Sequence, residues 1–296
     1  MSDKGASGDR SSGAGAQSGL ADPLVAPRDG LIGAEAALAR ELELIAHRAW
    51  PPLHAAELGG WTLRASAGAS RRGNSVWAHG DVSDLPAALA AVAGFYAEAG
   101  LPPMFQLTPV SRPAGLPAAL DAAGYDDTGP TDVCAASVDA LIWADGSLSR
   151  SALGVASCGV PDDDWLRVAG QVLATFGAQR DGTLAVLRDL SLPTTYVTAS
   201  IDGVPVAVGR GVADGRWLGI YSMATLPAAR GQGAARRIVA SLASWAAARD
   251  ITQAYLQVEE VSTVARRLYA ELGFRPVYRY SYRRGPAADP GVERTA

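Results

Sequence analysis

Apolar positions along the chain recur first at helical and then at strand spacing, and Gly and Pro punctuate them into short elements. Residues 34–49 place Leu38, Leu42 and Ile45 on one stripe, which predicts an amphipathic helix. Trp50-Pro51-Pro52 ends it, because proline has no amide proton to continue the ladder. Residues 60–65 and 75–78 read as strands around the basic turn Arg71-Arg72-Gly73. An Ala-rich helix over 85–99, a strand over 104–107 and a helix over 116–123 stopped by Gly124 follow. A last strand near 133–138 is expected to close this half, and residues 143–153 form a weakly patterned connection that marks a boundary.

In the second half, Asp162-Asp163-Asp164-Trp165 starts a helix, with acids where the helix dipole favours them. Strands over 194–201, 204–212 and 217–225 are separated by the hairpin signals Asp202-Gly203 and Asp214-Gly215. The helix over 233–249 carries Ala235, Ile238, Val239, Leu242 and Ala246 on one face, with Arg236, Arg237, Ser241 and Ser244 opposite. A strand over 254–258, a helix over 262–272 stopped by Gly273 and an alternating strand over 276–284 complete the pattern. An antiparallel meander leading into strand–helix–strand–helix–strand predicts an α/β fold with a mixed sheet (α+β), not a doubly wound one.

Composition narrows the picture. The chain has 296 residues, enough for two domains, with 48% hydrophobic and 19% charged, as in a folded protein. A net charge of −4 gives no electrostatic case for nucleic acid or an anionic membrane. No apolar run approaches the roughly 20 residues that span a bilayer. The Gly-, Ser- and Ala-rich start lacks an apolar signal core, so residues 1–30 are expected to be a disordered tail, residues 286–296 a flexible one, and the protein cytoplasmic. Cys134 and Cys158 lack metal-ligand spacing and are expected to be buried thiols, with no metal site.

The chemistry concentrates at Arg230-Gly231-Gln232-Gly233-Ala234-Ala235, between a hydrophobic strand and an amphipathic helix. Such a turn presents several main-chain N–H groups at the positive end of a helix dipole, which suits a diphosphate. Glycines at 231 and 233 let the backbone come close without a Cβ in the way. Taken alone, the turn also fits a tight structural connection. A Walker loop is excluded because no lysine is present, and a dinucleotide fingerprint lacks its third glycine.

The whole string Met223 to Ala235 resembles the coenzyme A signature of the GNAT acetyltransferase superfamily, Arg/Gln-x-x-Gly-x-Gly/Ala. Downstream, Tyr255-Leu256-Gln257-Val258 and Ala265 to Phe274 resemble that superfamily's next strand and helix. The resemblance implies acetyl-CoA as cosubstrate, with its pyrophosphate held by the turn Arg230, Gly231, Gln232, Gly233, Ala234 and Ala235. It also implies that main-chain groups of Met223 and Thr225 pair with the pantetheine arm. Arg236 or Arg237 could add charge near the phosphates, or simply form a solvated helix face. Tyr269 stands where the superfamily has a tyrosine that protonates the leaving thiolate; the alternative is a core tyrosine. Ser262 replaces a common Asn. The strand 217–222 lacks the glutamate of many relatives, so Glu259, then Glu260, is the candidate base, either being otherwise a surface acid. His47, His54 and His79 all lie in the first half.

The helix end Leu116 to Tyr125 echoes Val264 to Phe274, without a second Gly-rich turn. Residues 31–142 are therefore expected to be a degenerate GNAT-like domain lacking the cofactor motif, and 154–285 the catalytic GNAT domain. Trp50-Pro51, Gly60 to Arg64, Arg71 to Val76 and Trp217 to Thr225 resemble an actinobacterial group of two-module acetyltransferases, some assigned as N-acetylglutamate synthases. That implies a small-molecule amine acceptor such as glutamate. Arg72, Arg64 and Arg210 are then fork donors for its carboxylates, or else ordinary surface or hairpin arginines. Transfer is expected by direct attack, not through Cys134 or Cys158. A non-catalytic acyl-CoA sensor and a protein-lysine acetyltransferase are the rival functions, and the oligomeric state is not readable.

Overall fold

The computed structural model describes residues 31–143 and 153–286. The expected tail 1–30, nearly all of the connection 143–153 and all but Pro286 of the C-terminal tail lie outside the described residues.

Helix α1 spans Gly33–Arg48 and buries Ala36, Ala39, Leu42, Glu43, Ile45 and Ala46. The glutamate on that stripe is not legible as a core position from its type. Strands β1 (His54–Leu58), β2 (Trp61–Ala65) and β3 (Val76–Ala78), helix α2 (Leu85–Glu98), β4 (Met104–Leu107) and α3 (Leu116–Ala122) follow. Asp84 caps α2 by accepting from the Ala87 amide at 3.0 Å. Then come β5 (Asp126–Ser137), α4 (Val138–Trp143), β6 (Leu153–Cys158), α5 (Asp163–Val172) and α6 (Arg180–Arg188). Asp162 caps α5 through the Trp165 amide at 2.7 Å, as its position before an apolar run predicts. The meander is β7 (Thr194–Ile201), β8 (Val204–Asp214) and β9 (Trp217–Thr225), followed by α7 (Ala234–Ala247), β10 (Gln253–Glu259), α8 (Thr263–Glu271) and β11 (Arg275–Arg284). Asp202 and Gly203 both have positive φ, the backbone that a tight hairpin turn demands.

The described strands form one sheet of eleven in the order β1-β2-β3-β4-β11-β5-β10-β9-β8-β7-β6. The expectation that the strand near 133–138 closes the first half is corrected here. That strand begins at Asp126 and lies antiparallel between β10 and β11, while β11 pairs on its other edge with β4. An open strand edge is costly to leave unpaired, and each half lends the other a strand to satisfy it.

Helix α7 packs Ile238, Val239, Leu242 and Ala246 against Ala207, Ile220 and Leu256 on one face of the sheet. Helix α1 covers the middle of the opposite face, against Val133, Trp217, Tyr255, Tyr278 and Tyr280. Trp50, just beyond α1, joins Trp165, Phe176 and Tyr196 in the core beneath α5 and α6. Each such apolar side chain contributes about 1.5–3 kcal/mol by leaving water.

The seam between the halves is also ionic. Asp132 on β5 is fully buried and accepts from Arg279 Nε at 2.7 Å and Nη2 at 3.0 Å, and from Arg266 Nη2 at 2.8 Å. A buried carboxylate shared by two guanidiniums is costly to remove, because its partners stay buried. Asp132→Ala is expected to lower stability by about 3–5 kcal/mol, read from the urea midpoint of the full chain. A loss below about 1 kcal/mol would show that the seam does not depend on this carboxylate.

Candidate active site

A cavity of about 640 Å³ opens where β9 runs into α7, walled by the first two turns of α8 and by Val172 at the end of α5. Its floor is the predicted turn. Gly231 and Gly233 have φ of +76° and +85°, in the left-handed region that side chains resist, and open space surrounds the Gly231 Cα. No side chain caps α7. The first main-chain bond of that helix runs from the Arg237 amide to the Gly233 carbonyl at 3.0 Å, so the amides of Ala234, Ala235 and Arg236 have no helical acceptor. Aligned with the α7 dipole, they suit an anion such as a diphosphate.

Met223, Thr225, Arg230, Gly231, Gly233, Ala234, Ala235, Arg236 and Tyr269 all line this cavity. Gln232 sits in the same turn, but its amide donates back to the Ala228 carbonyl at 3.2 Å and braces the loop. Arg236 pairs with Glu271 of α8 at 2.8 Å, tying together the two helices that flank the cavity.

The cavity leads to a gap in the sheet. β9 and β10 run parallel and pair only from Trp217–Gln253 to Ile220–Leu256, after which they separate. On its other edge β9 is bulged: Tyr221 faces Arg210 and Ala224 faces Val208, leaving Ser222 and Met223 opposite Gly209. Ser222 takes a φ of +52° to make this bulge. A Cβ at Gly209 would lie 2.6 Å from both Met223 Sδ and Ile238, so only glycine fits beneath the bulge and α7. The edge of β9 that faces the gap is thus left without a strand partner from Tyr221 onward.

Tyr269 is nearly buried at the cavity wall, edge-on to Phe274. Burial pushes its phenol well above the usual tyrosine range, and Cys134 nearby adds to the shift. It therefore holds its proton throughout the physiological range and can donate it. Glu259 does not line the cavity: its side chain is 46% exposed and paired with Arg71 from the first half. Glu260 is engaged by Arg279 at 2.8 Å. His47 and His79 line a separate cavity of about 530 Å³ in the first half, both against the Trp77 ring. Burial, and then the charge of Arg64, lowers His47 to about 4. Cys158 is half-buried, not buried as expected, because it ends the outermost strand β6; Cys134 is buried in the core.

Arg64, Arg72 and Arg210 are not surface or hairpin arginines: all three are buried. Gly209 faces α7, so its neighbour Arg210 faces the other side of the sheet, where it packs on Trp50 and Tyr221. Arg72 bonds to Glu43 at 3.2 Å. The Tyr221 and Tyr255 hydroxyls contact each other at the point where the strands part. Sequence reasoning missed Glu43 on α1, Trp50 just beyond it, Tyr221 on β9 and Tyr255 on β10, and the Val261, Val264 and Leu268 wall. Val261 and Val264 are apolar yet 80% and 82% exposed at the cavity, a signal of a surface awaiting a ligand that only a structure can give.

A turn suited to an anion at the start of α7, beside two parting parallel strands, agrees with N-acetyltransferases of the GNAT type. Residues 36–283 match the family described as "Probable histone acetyltransferase Rv0428c C-terminal", and the chain belongs to it. It is 26% identical over 245 residues to "Uncharacterized N-acetyltransferase YobR" of Bacillus subtilis, covering 82% of this chain and 97% of that one. It is 27% identical over 241 residues to "Probable histone acetyltransferase Rv0428c" of Mycobacterium tuberculosis, covering 80% and 70%. Among solved structures, a GCN5-related N-acetyltransferase from Kribbella flavida shares the fold with a TM-score of 0.62 and 18% identity, over 86% of this chain and 97% of that one. A tandem GNAT protein from the clavulanic acid biosynthesis pathway shares it with a TM-score of 0.55 and 10% identity, over 69% and 70%. Among the described residues no helix is long and apolar enough to cross a membrane, and no group of three or more His, Cys, Asp or Glu side chains is placed to hold a metal.

The backbone of the cradle is testable without any ligand. Gly233→Ala puts a Cβ on a residue at φ +85° and is expected to cost roughly 1–2 kcal/mol in denaturant unfolding. No loss would show that the turn relaxes to an ordinary backbone.

Proposed function

We propose that the cavity binds acetyl-CoA and that the acetyl group passes directly to a primary amine entering from the opposite face of the sheet. The observation that carries this reading is the gap between β9 and β10, which joins the anion cradle on one face to a buried polar cluster on the other. The cosubstrate, when bound, supplies an activated thioester. The amides of Gly231 to Ala235 hold its diphosphate, with Arg230 and Arg236 adding positive charge. Met223 and Thr225 offer main-chain groups on the open edge of β9 to the extended pantetheine arm, as an added strand would. A β9 amide there can donate to the carbonyl oxygen as charge develops on it. Tyr269 holds a proton at its hydroxyl and gives it to the departing sulfur. The amine must shed a proton before attack, and Glu259 is the carboxylate we assign to receive it, directly or through water. Its pairing with Arg71 must loosen for that role.

Trp50, the loop 66–75 and α6 pack together beside Arg210 on the face opposite the cradle, which supports a small acceptor such as the α-amine of glutamate. A second reading, transfer to a protein lysine, is favoured by the family description alone. One site per chain follows, because the first half has no Gly-rich turn to hold a second diphosphate. Two unbridged cysteines fit a cytoplasmic location.

Thiol release from acetyl-CoA, screened against amino acids, polyamines, aminoglycosides and lysine peptides, tests the proposal. Turnover on at least one amine is expected; bound coenzyme A with no turnover on any amine leaves only an acyl-CoA sensor. Tyr269→Phe is expected to lower kcat about 10²-fold with coenzyme A affinity little changed. Because the Tyr269 phenol is raised above its ordinary value, its proton stays on as pH rises. The rate should therefore climb with amine deprotonation and hold its plateau through about pH 10. An alkaline limb that disappears in Tyr269→Phe would place its ionisation at the ordinary value.

A further inference from the structure

Four of the chain's buried arginines each have at least one close side-chain partner. Arg279 and Arg266 share Asp132, Arg72 bonds to Glu43, and Arg64 donates to Ser75 and Gln106 at 2.8–3.0 Å. Arg210 differs. It is 0% exposed, and its hydrogen bonds to main chain are two long ones to the Ala49 carbonyl, at 3.4 and 3.5 Å. The Trp50 and Tyr221 rings flank it at 5.2 and 4.8 Å, and its neutral polar neighbours are the phenols of Tyr196, to which it hydrogen-bonds, Tyr221 and Tyr255. Its Nε has no partner, and among the described residues no carboxylate pairs with it. A buried cation without a counter-charge costs several kcal/mol, and ring faces recover about 2 kcal/mol at best.

Two further buried donors without partners among the described residues belong to its neighbour Trp50 and to the loop beyond it: Trp50 Nε1 and Arg72 Nη2. The indole nitrogen faces the loop that carries Arg72, only 3.1 Å from where a Cβ on Gly73 would sit. Tyr221 lies against Arg210 and, through its hydroxyl, touches Tyr255 at the last paired rung of β9 and β10. Burial raises the Tyr221 phenol, and the Tyr255 hydroxyl, then the charges of Arg210 and Arg72, pull against that rise. Arg210 and Trp50 thus lie together beside Tyr221 at the mouth of the gap, with the loop that carries Arg72 against the indole.

We infer that the acceptor bears a carboxylate, and that Arg210 receives it together with Arg72 and Trp50 from the first half. This rests on the proposed transferase reading and fixes the substrate class for it. A carboxylate has two oxygens with four lone pairs, enough for the vacant donors, and supplies the charge that Arg210 lacks. It also assigns the first half a task, since both partner donors come from there. Polyamines and aminoglycosides, which carry only cations to this place, would meet a buried positive charge and are excluded as good acceptors.

The test is binding of carboxylates that cannot be acetylated. Acetate, glutarate and uncharged glutaramide are titrated against the full chain, with coenzyme A present, by thermal shift and tryptophan fluorescence. Saturable binding of a carboxylate at least tenfold tighter than glutaramide is expected. Arg210→Met should lose that binding at least tenfold and keep coenzyme A affinity. Its unliganded melting temperature should equal or exceed that of the parent, because the variant removes an uncompensated charge and keeps volume. Arg210→Lys keeps the charge but not the fork, and should bind carboxylate more weakly than the parent; it carries the comparison alone if the Met variant fails to fold. No carboxylate-specific response, or full carboxylate affinity in Arg210→Met or Arg210→Lys, overturns the assignment. Equal turnover on amino acids and their carboxamides also overturns it while leaving the transferase reading intact. Carboxylate binding through Arg210 without turnover on any amine supports the assignment and sinks the transferase reading.

Discussion

Past the Ile220–Leu256 rung, β9 and β10 stop exchanging hydrogen bonds, and the chemistry of the molecule depends on that separation. A parallel pair could have continued for several more rungs. It does not, because the bulge at Ser222 and Met223 turns β9 toward β8 while β5 holds β10 in a full antiparallel ladder on its far edge. The result is a strand edge left open at the centre of the sheet, a place where main-chain groups ordinarily are satisfied. Helix α7 starts beside that opening with an uncapped first turn, so two kinds of unsatisfied main-chain group face one cavity. Both are groups that the proposed cosubstrate, an extended chain ending in a diphosphate, would meet together.

The two halves are bound into the site by the same ladder. β5, from the first half, aligns β10 and β11, and Asp132 at its middle pins β11 and α8 through Arg279 and Arg266. Helix α8 carries Tyr269, so the seam that joins the halves also sets the position of the proposed proton donor. The first half then reaches the opposite side of the gap with Trp50, Arg71 and Arg72.

What was legible in the sequence follows from what is local. The turn at Gly231 and Gly233, the apolar face of α7, the hairpin at Asp202-Gly203 and the helix start at Asp162 each depend on neighbours in the chain, and each is read correctly from them. The strand exchange was not legible, because pattern shows that residues 133–138 form a strand but not which edge it joins. β1 and α6 were missed as well: His54 to Leu58 has no clear alternation of burial, and Arg180 to Arg188 has a polar start. The arginines were singled out by residue type alone. Only the fold shows that Arg210 is buried and lacks a counter-charge while Arg72 has Glu43, a difference made by residues more than a hundred positions apart or on another helix.

Amide hydrogen exchange of the full chain, with and without coenzyme A, tests most directly whether the gap and the cradle act as one binding site. Slowed exchange is expected in two separate stretches, the open edge of β9 at Met223 to Thr225 and the turn Gly231 to Arg236, with β7 unchanged. Protection confined to the turn would contradict an added-strand role for β9, and protection of neither stretch would contradict the site itself.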